Sequence, residues 1–307
     1  MANVLITGGT GLIGQALVAQ LKRHHHDVTV LTRHVAKAEK VFDFDVVIVD
    51  DLYQIDDDIY FDVIVNLAGE PIADKRWSEA QKQRIYQSRV DSTHHLVKWM
   101  KTRLMMPSVL ISGSAVGWYG DGKNSLLTEQ SGFHDEYTHQ LCDAWEQAAL
   151  SAKQLGCRVC IMRTGLVVSS EGGFLKKMLP SFKLCLGGPL SNGQQYMPWI
   201  HIDDMVAAIL FLAFSKNKNE LSGIYNFTAP KPVTNKEFSQ TLASVLSKPC
   251  LFFVPALVLK LMLGEMSRLV LTGQNAIPER LQQAGFEFTY HTLKPALEDV
   301  LGKRANG

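Results

Sequence analysis

Short apolar runs alternate, over the first half of the chain, with stretches in which apolar residues recur every three or four positions. The runs at 3–7, 28–32, 46–50, 62–67, 108–113 and 158–164 have the length of strands, and the intervening stretches carry helical spacing. That alternation predicts βαβ units around a parallel sheet with helices on both faces. A capping box, Ser78-Glu79-Ala80-Gln81, opens a helix expected to run to about Arg103, ahead of Pro107. A second helix is expected over roughly 138–155, stopped by Gly156. After Val168 the pattern breaks at Gly172-Gly173, Pro180, Gly187-Gly188-Pro189 and Gly193, then returns to helical spacing over 203–214. Thr234-Asn235-Lys236-Glu237 is another capping box, for a helix to about Leu246. The stretch 251–263 is the most hydrophobic of all and reads as a buried helix; Pro255, Lys260 and its length of about 13 residues keep it short of a membrane span. Two interleaved parts are expected: a larger sheet domain at 1–168 and about 199–228, and a smaller lobe at 169–198 and 229–307.

The most specific local signal sits at the first strand. Val4-Leu5-Ile6-Thr7 runs into Gly8-Gly9-Thr10-Gly11-Leu12-Ile13-Gly14, and Ile13, Leu17 and Leu21 begin a helix. Glycines at 8, 11 and 14 let the main chain approach a diphosphate, and the N-terminal amides of the helix attract its charge. Strand, turn and helix together make this a dinucleotide-binding turn and the sheet a Rossmann-type, doubly wound one. Where a dinucleotide fold that prefers NAD carries an acid at the end of its second strand, this chain reads Thr32-Arg33-His34, with Lys37 one turn on. A guanidinium offers a planar fork of donors to a 2′-phosphate, so the expected cofactor is NADP. The plainer alternative is a surface Arg at a strand end.

Composition narrows the class further. Hydrophobic residues at 46% and charged residues at 20% suit a soluble globular chain, and a formal net charge of +1 gives no electrostatic case for nucleic acid or an acidic membrane face. A small-molecule substrate is the expected partner; oligomeric state is not legible. Cys142, Cys157, Cys160, Cys185 and Cys250 are an odd set in apolar surroundings, as in a reducing compartment. Cys157 and Cys160 are spaced as C-x-x-C, but three residues along a strand place them on opposite faces, so buried thiols are expected. With no basic region and cleavage site ahead of the first strand, the chain is expected to be cytoplasmic. The acidic run from Asp43 to Asp62 reads as a solvated face, and His24-His25-His26 as cations closing a helix. No metal is expected.

Asn66-Leu67-Ala68-Gly69 ends the fourth strand and Ser112-Gly113-Ser114-Ala115-Val116, with Tyr119-Gly120, the fifth. Adding Arg163-Thr164-Gly165 and Trp199-Ile200-His201-Ile202-Asp203-Asp204, the chain resembles the extended short-chain dehydrogenase/reductases. Within them, Glu70-Pro71-Ile72, Arg76-Trp77, Ser88-Arg89, Gly187-Gly188-Pro189 and Leu263-Gly264-Glu265 resemble the YfcH-like proteins, epimerase family 39. The resemblance implies an NADP-binding fold with its own C-terminal segment. It also implies cofactor contacts at Gly8, Thr10, Gly11, Leu12, Ile13, Thr32, Arg33, Leu67, Ala68, Gly69, Glu70, Arg89 and Leu166.

Short-chain dehydrogenases move a proton with a Tyr acidified by a Lys four residues later, while a Ser holds the substrate oxygen. Ser114 matches that Ser. Setting Glu146 against the acid that commonly follows the pair puts Thr138 at the Tyr position and Cys142 at the Lys position, and neither substitutes directly. Tyr137 is one residue off, which turns it by about 100°. Tyr119 and Lys123 have the right spacing, but Gly120, Asp121 and Gly122 make that segment a loop. Expected catalytic residues are therefore Ser114 and Tyr119, with Lys75, Trp118, Trp199 and His201 as pocket residues; core packing is the plainer reading of Trp199 and His201. Two functions follow: an NADP(H)-dependent oxidoreductase or epimerase on a small carbonyl or nucleotide-linked substrate, and a non-catalytic NADP(H) sensor or scaffold.

Overall fold

The computed structural model describes residues 1–42, 45–215 and 220–302; Asp43, first of the acidic run, lies outside them. Seven parallel strands make the main sheet: β1 (Asn3–Thr7), β2 (Asp27–Leu31), β3 (Val46–Val49), β4 (Val63–Asn66), β5 (Val109–Ala115), β6 (Arg158–Thr164) and β7 (Gly223–Phe227). Their spatial order is β7-β6-β5-β4-β1-β2-β3. The chain winds one way from β1 to β3 and the other way from β4, so a crevice opens at the carboxyl ends of β1 and β4. Register holds those ends level, with Thr7 opposite both Leu31 and Asn66, and Asn66 opposite Ser112. This is the doubly wound Rossmann-type fold read from the sequence. β7 was not among the expected strands, because Gly-Ile-Tyr-Asn-Phe is too short and mixed a run to stand out.

Period-two burial builds two cores. On one face Val4, Ile6 and Cys160 pack with Leu17 and Leu21 of α1 (Leu12–Arg23) and with Ile209 and Leu212, one helical turn apart in the chain's later half. On the other, Leu5, Ile64, Leu110, Cys157 and Ile161 pack with Trp99 and Ala149. Cys157 and Cys160 thus lie on opposite faces, buried and unbridged, as the strand geometry required. A third core gathers Trp199, Phe238, Leu242, Tyr290 and Leu297 outside the sheet.

The remaining helices are α2 (Val35–Val41), α3 (Glu79–Tyr86), α4 (Ser92–Met100), α5 (Tyr137–Leu150), α6 (Gly173–Lys183), α7 (Ile202–Phe214), α8 (Asn235–Val245), α9 (Ala256–Leu263), α10 (Arg268–Leu271), α11 (Glu279–Gln283) and α12 (Leu293–Val300). Both N-cap bonds form: Ser78 Oγ accepts from the Gln81 amide and Thr234 Oγ1 from the Glu237 amide, each at 3.2 Å. Two expectations need correction. The helix from Ser78 is interrupted by a π turn at Gln87–Asp91 before α4, which ends at Met100 rather than near Arg103. The stretch 251–263 is not a buried helix: only Ala256–Leu263 is helical, and of its residues only Leu259 is buried.

Candidate functional site

At the end of β1 the chain turns through Gly8, whose φ is +69°. A Cβ there would stand 2.6 Å from the Leu67 carbonyl, so the first glycine is required twice, by its dihedral and by the close passage of β4's end. Gly14 packs on the turn itself, since a Cβ would meet the Gly8 oxygen at 2.5 Å. The turn closes with the Gly11 amide donating to the Gly8 carbonyl at 3.0 Å, and α1 starts at once. Its first amides face the crevice with no side-chain cap on Gly11, leaving donors and the positive end of the helix dipole for an anion.

This turn forms one wall of a cavity of about 640 Å³. Gly8, Thr10, Gly11, Thr32, Arg33, Leu67, Ala68, Gly69 and Glu70 line it, nine of the thirteen residues expected to touch a cofactor. Leu12 and Ile13 belong instead to the first turn of α1, and Leu166 pairs with Trp199 in a short parallel ladder, away from the cavity wall. Arg89 stands just behind it: a Cβ on Gly69 would lie 3.0 Å from its guanidinium carbon. Burial lowers the Arg89 pKa, opposed by the nearby Cys142, Tyr137 and Glu70.

Eight further lining residues were not among the expected contacts: Thr7, Leu31, Asp50, Pro71, Arg84, Gln87, Ser88 and Ser92. Arg84, Gln87 and Ser88 follow one another at ordinary helical spacing on one face, and Ser88 Oγ accepts from the Glu70 amide at 2.9 Å. At the far end of the cavity Arg33 and Lys37 are exposed and, among the described residues, make no ion pair.

A buried polar ladder joins the carboxyl ends of the strands. Thr7 Oγ1 donates to Asn66 Oδ1 at 2.7 Å, and Asn66 Nδ2 donates to Thr93 Oγ1 and Ser112 Oγ. Next along β5, Ser114 donates to Glu146 Oε1 at 2.7 Å, and the same carboxylate receives Arg163 at 2.8 and 2.9 Å. Glu146 and Arg163 are almost wholly buried, and the guanidinium lies 3.4 Å over the Trp118 ring. Burial by itself would lower the Arg163 pKa, but the hydrogen bonds and charge of Glu146 raise it overall. Arg163 stays charged against Glu146, which also accepts the Ser114 hydroxyl.

Tyr119 does not face a cavity. Its side chain is 1% exposed, its hydroxyl donates to Asn226 Oδ1 at 2.8 Å, and burial raises its pKa despite Arg163. The expectation of a proton donor there is corrected: the phenol is tied into the core. Four expected pocket residues are also corrected, since none lines either cavity. Lys75 is solvent-exposed, Trp118 meets Phe133 and His139 edge-on, and Trp199 is fully buried with its Nε1 on the Lys231 carbonyl. His201 is the N-cap of α7, 1% exposed and stacked on Tyr290 at 3.8 Å.

Thr138 and Cys142 both face Gly117, just past Ser114. The Cys142 thiol is pushed up to about 12 by burial and by Glu146, so it is neither acid nor base at neutral pH. Beside them opens a second cavity of about 220 Å³, lined by Trp77, Glu136, Tyr137, Thr138, Glu265 and Arg268. Here the Tyr137 hydroxyl is buried without a hydrogen-bond partner among the described residues, and Lys82 Nζ lies 5.1 Å over its ring. Burial raises the Tyr137 pKa, while Lys82 and Arg89 pull it down. The 100° offset read from the sequence turned this phenol away from the usual position and into the second cavity.

His201, Asp203 and Asp299 bring three potential metal-ligand atoms within 4.8 Å of one another. His201 Nδ1 accepts from the Asp203 amide at 3.1 Å, which assigns the ring proton to Nε2, facing Asp299 at 3.1 Å. Nδ1 is thereby committed, and the approach of Nε2 to Asp299 makes the cluster a latch between α7 and α12.

Residues 4–227 match the model of the NAD dependent epimerase/dehydratase family, and residues 254–300 that of a domain of unknown function, DUF1731. An epimerase family protein of Staphylococcus aureus strain MRSA252 is 38% identical over 306 residues, 99% of this chain and all of the relative. Among solved structures, human epimerase family protein SDR39U1 (isoform 2) with NADPH superposes with a TM-score of 0.88 at 29% identity, over 98% of this chain and 99% of that one. A nucleoside-diphosphate sugar epimerase from Corynebacterium glutamicum superposes with a TM-score of 0.75 at 30% identity, over 98% of this chain and 58% of that one.

Proposed function

The chain belongs to the NAD dependent epimerase/dehydratase family, and on that premise we propose that it is an NADP(H)-dependent oxidoreductase or epimerase acting on a small carbonyl or nucleotide-linked substrate. One observation carries the reading: a turn that only glycine can make opens a cavity whose other end presents Arg33 and Lys37. The human relative crystallised with NADPH supports the same cofactor. The amides around Gly8, Thr10, Gly11, Leu12 and Ile13 hold the diphosphate, and Thr32, Arg33 and Lys37 take the 2′-phosphate. Leu67, Ala68, Gly69, Glu70 and Arg89 line the way toward the reacting end. Free, largely buried cysteines suit a reducing, cytoplasmic setting.

When bound, NADP(H) supplies or accepts a hydride. The protein's part is the proton, and we assign it to Tyr137, whose hydroxyl has no hydrogen-bond partner among the described residues and lies beside the second cavity. The phenol is protonated at neutral pH, and the nearby Lys82 and Arg89 cations, which pull its raised pKa back down, would stabilise the phenolate left after transfer. Ser114, whose only proton goes to Glu146, serves as acceptor and aligns a substrate hydroxyl rather than polarising a carbonyl.

The test has two stages. Calorimetry should give tighter binding of NADPH than NADH; equal affinities would sink the cofactor assignment. A screen of carbonyl compounds and sugar nucleotides should then find NADPH-dependent turnover that Tyr137→Phe cuts by about 10²–10⁴-fold, the usual worth of a positioned acid. The absence of a Tyr–Lys pair at Thr138 and Cys142 favours a second reading, a non-catalytic sensor. Binding without turnover, together with different protease sensitivity under NADPH and NADP, would select it.

A further inference from the structure

The tip of the smaller lobe carries a built apolar surface that neither the cofactor cavity nor the second cavity uses. Leu184, Phe252, Phe253, Leu257, Leu261 and Met262 are each more than half exposed. They come from two segments locked together by main-chain bonds: the Val254 amide donates to Pro189 at 3.0 Å and the Ser191 amide to Val254 at 2.8 Å. Gly188 packs so closely on Phe252 that a Cβ would lie 1.7 Å from its carbonyl oxygen. The exposed residues are therefore held out by ordered backbone. Their combined area is on the order of 600 Å², at the upper end of what soluble monomers leave uncovered.

Charge is distributed just as unevenly. Residues 176–191 and 248–262, which carry the exposed apolar side chains, contain Lys176, Lys177, Lys183, Lys248 and Lys260 and no Asp or Glu; Glu265, just past α9, is turned to Lys82 at 2.7 Å. Lys177 is paired with Asp74 from the other domain. Lys183 immediately precedes Leu184, Lys248 leads into the 251–253 run, and Lys260 sits between exposed residues of α9. The near-neutral charge of the whole chain, which pointed away from a membrane partner, averages over this asymmetry.

We infer that this tip docks on the surface of an anionic lipid bilayer, with Phe252, Phe253 and the exposed side of α9 entering the headgroup boundary and the lysines facing acidic lipids. Apolar and aromatic side chains set beside basic ones, with no acid among them, match that surface in both hydrophobicity and charge. A second copy matches it less well, because two-fold pairing would bring the same lysines together with no carboxylate in either segment to meet them. Among the described residues no helix is long and apolar enough to cross a membrane, so the contact is peripheral.

The experiment is vesicle co-sedimentation of the full chain, with phosphatidylcholine alone and with phosphatidylcholine containing phosphatidylglycerol. Binding to the acidic vesicles should be roughly tenfold tighter or more, and should weaken with salt. Both Phe252→Ser/Phe253→Ser and Lys183→Glu/Lys248→Glu should lose about tenfold or more, while keeping wild-type NADPH affinity as evidence that they are folded. Absence of binding to acidic vesicles, or binding that charge reversal leaves unchanged, overturns the inference. So does a concentration-dependent dimer that Phe252→Ser/Phe253→Ser dissociates, which would give the surface to a second copy.

Discussion

The two ends of the crevice are built on opposite principles. At the phosphate end the protein contributes mostly main chain: a left-handed glycine, a close crossing by Leu67 and the uncapped start of α1. At the reacting end it contributes side chains that hold one another, with Ser114 on Glu146, Glu146 on Arg163, Arg163 over Trp118 and Tyr119 on Asn226. Backbone geometry leaves few substitutes and keeps a recognisable spelling. A network of side chains can be rebuilt, and here it has been, so that the usual acid is missing while a buried ion pair fixes the serine.

The sharpest way to break that contrast is at Gly8. Gly8→Val needs a β-branched residue at positive φ with its Cβ against the Leu67 carbonyl, so NADPH binding should vanish in calorimetry. Retained binding would mean that the turn is not what grips the cofactor. At the other end, Glu146→Ala leaves the Arg163 guanidinium buried and unpaired, and chemical denaturation should register a loss of about 3–5 kcal/mol. A loss below about 1 kcal/mol would show that water or a neighbour rescues the cation, and that the network is looser than its distances imply.

The same contrast explains what could be read in advance. Most strand positions, the glycine turn and the N-cap signals at Ser78 and Thr234 are set within a few residues of themselves, so composition and spacing expose them. Glu146 and Arg163 are 17 positions apart on a helix and a strand, and Tyr119 and Asn226 are 107 apart. Nothing local marks them as partners, which is why Tyr119 read as a free phenol and Tyr137 as a misplaced one. The exposed α9 is the reverse case: its apolar spelling implied burial, but burial depends on whether another element is left to cover it.

Arg33 tests the contrast more gently, because it adds to a grip already made by main chain. Arg33→Asp should leave NADH binding nearly intact while weakening NADPH by about 10–100-fold, the worth of one or two charge-assisted hydrogen bonds. If the preference survives, Lys37 alone reads the 2′-phosphate, and Lys37→Ala should then remove it.

The smallest expected effect concerns the latch between α7 and α12. Burial lowers the His201 pKa below 6.5, although Asp203, Asp299 and Asp204 oppose it; burial, followed by the N-terminal amino group and His24, lowers His26 in the same direction. A histidine depressed in the folded state is protonated first in the unfolded chain, so its contribution is complete above the unfolded value of about 6.5 and is lost as pH falls through the folded pKa. The melting temperature should therefore decline on acidification below pH 6.5, with His201 accounting for most of the slope because it is far more buried than His26. His201→Asn keeps an acceptor at the start of α7 and removes the titration, so it should flatten the decline even if it lowers stability at neutral pH through lost stacking on Tyr290. An unchanged slope would move the acid sensitivity to His26, where it stacks on Phe214 at the end of α7 and accepts from the Ala2 amide.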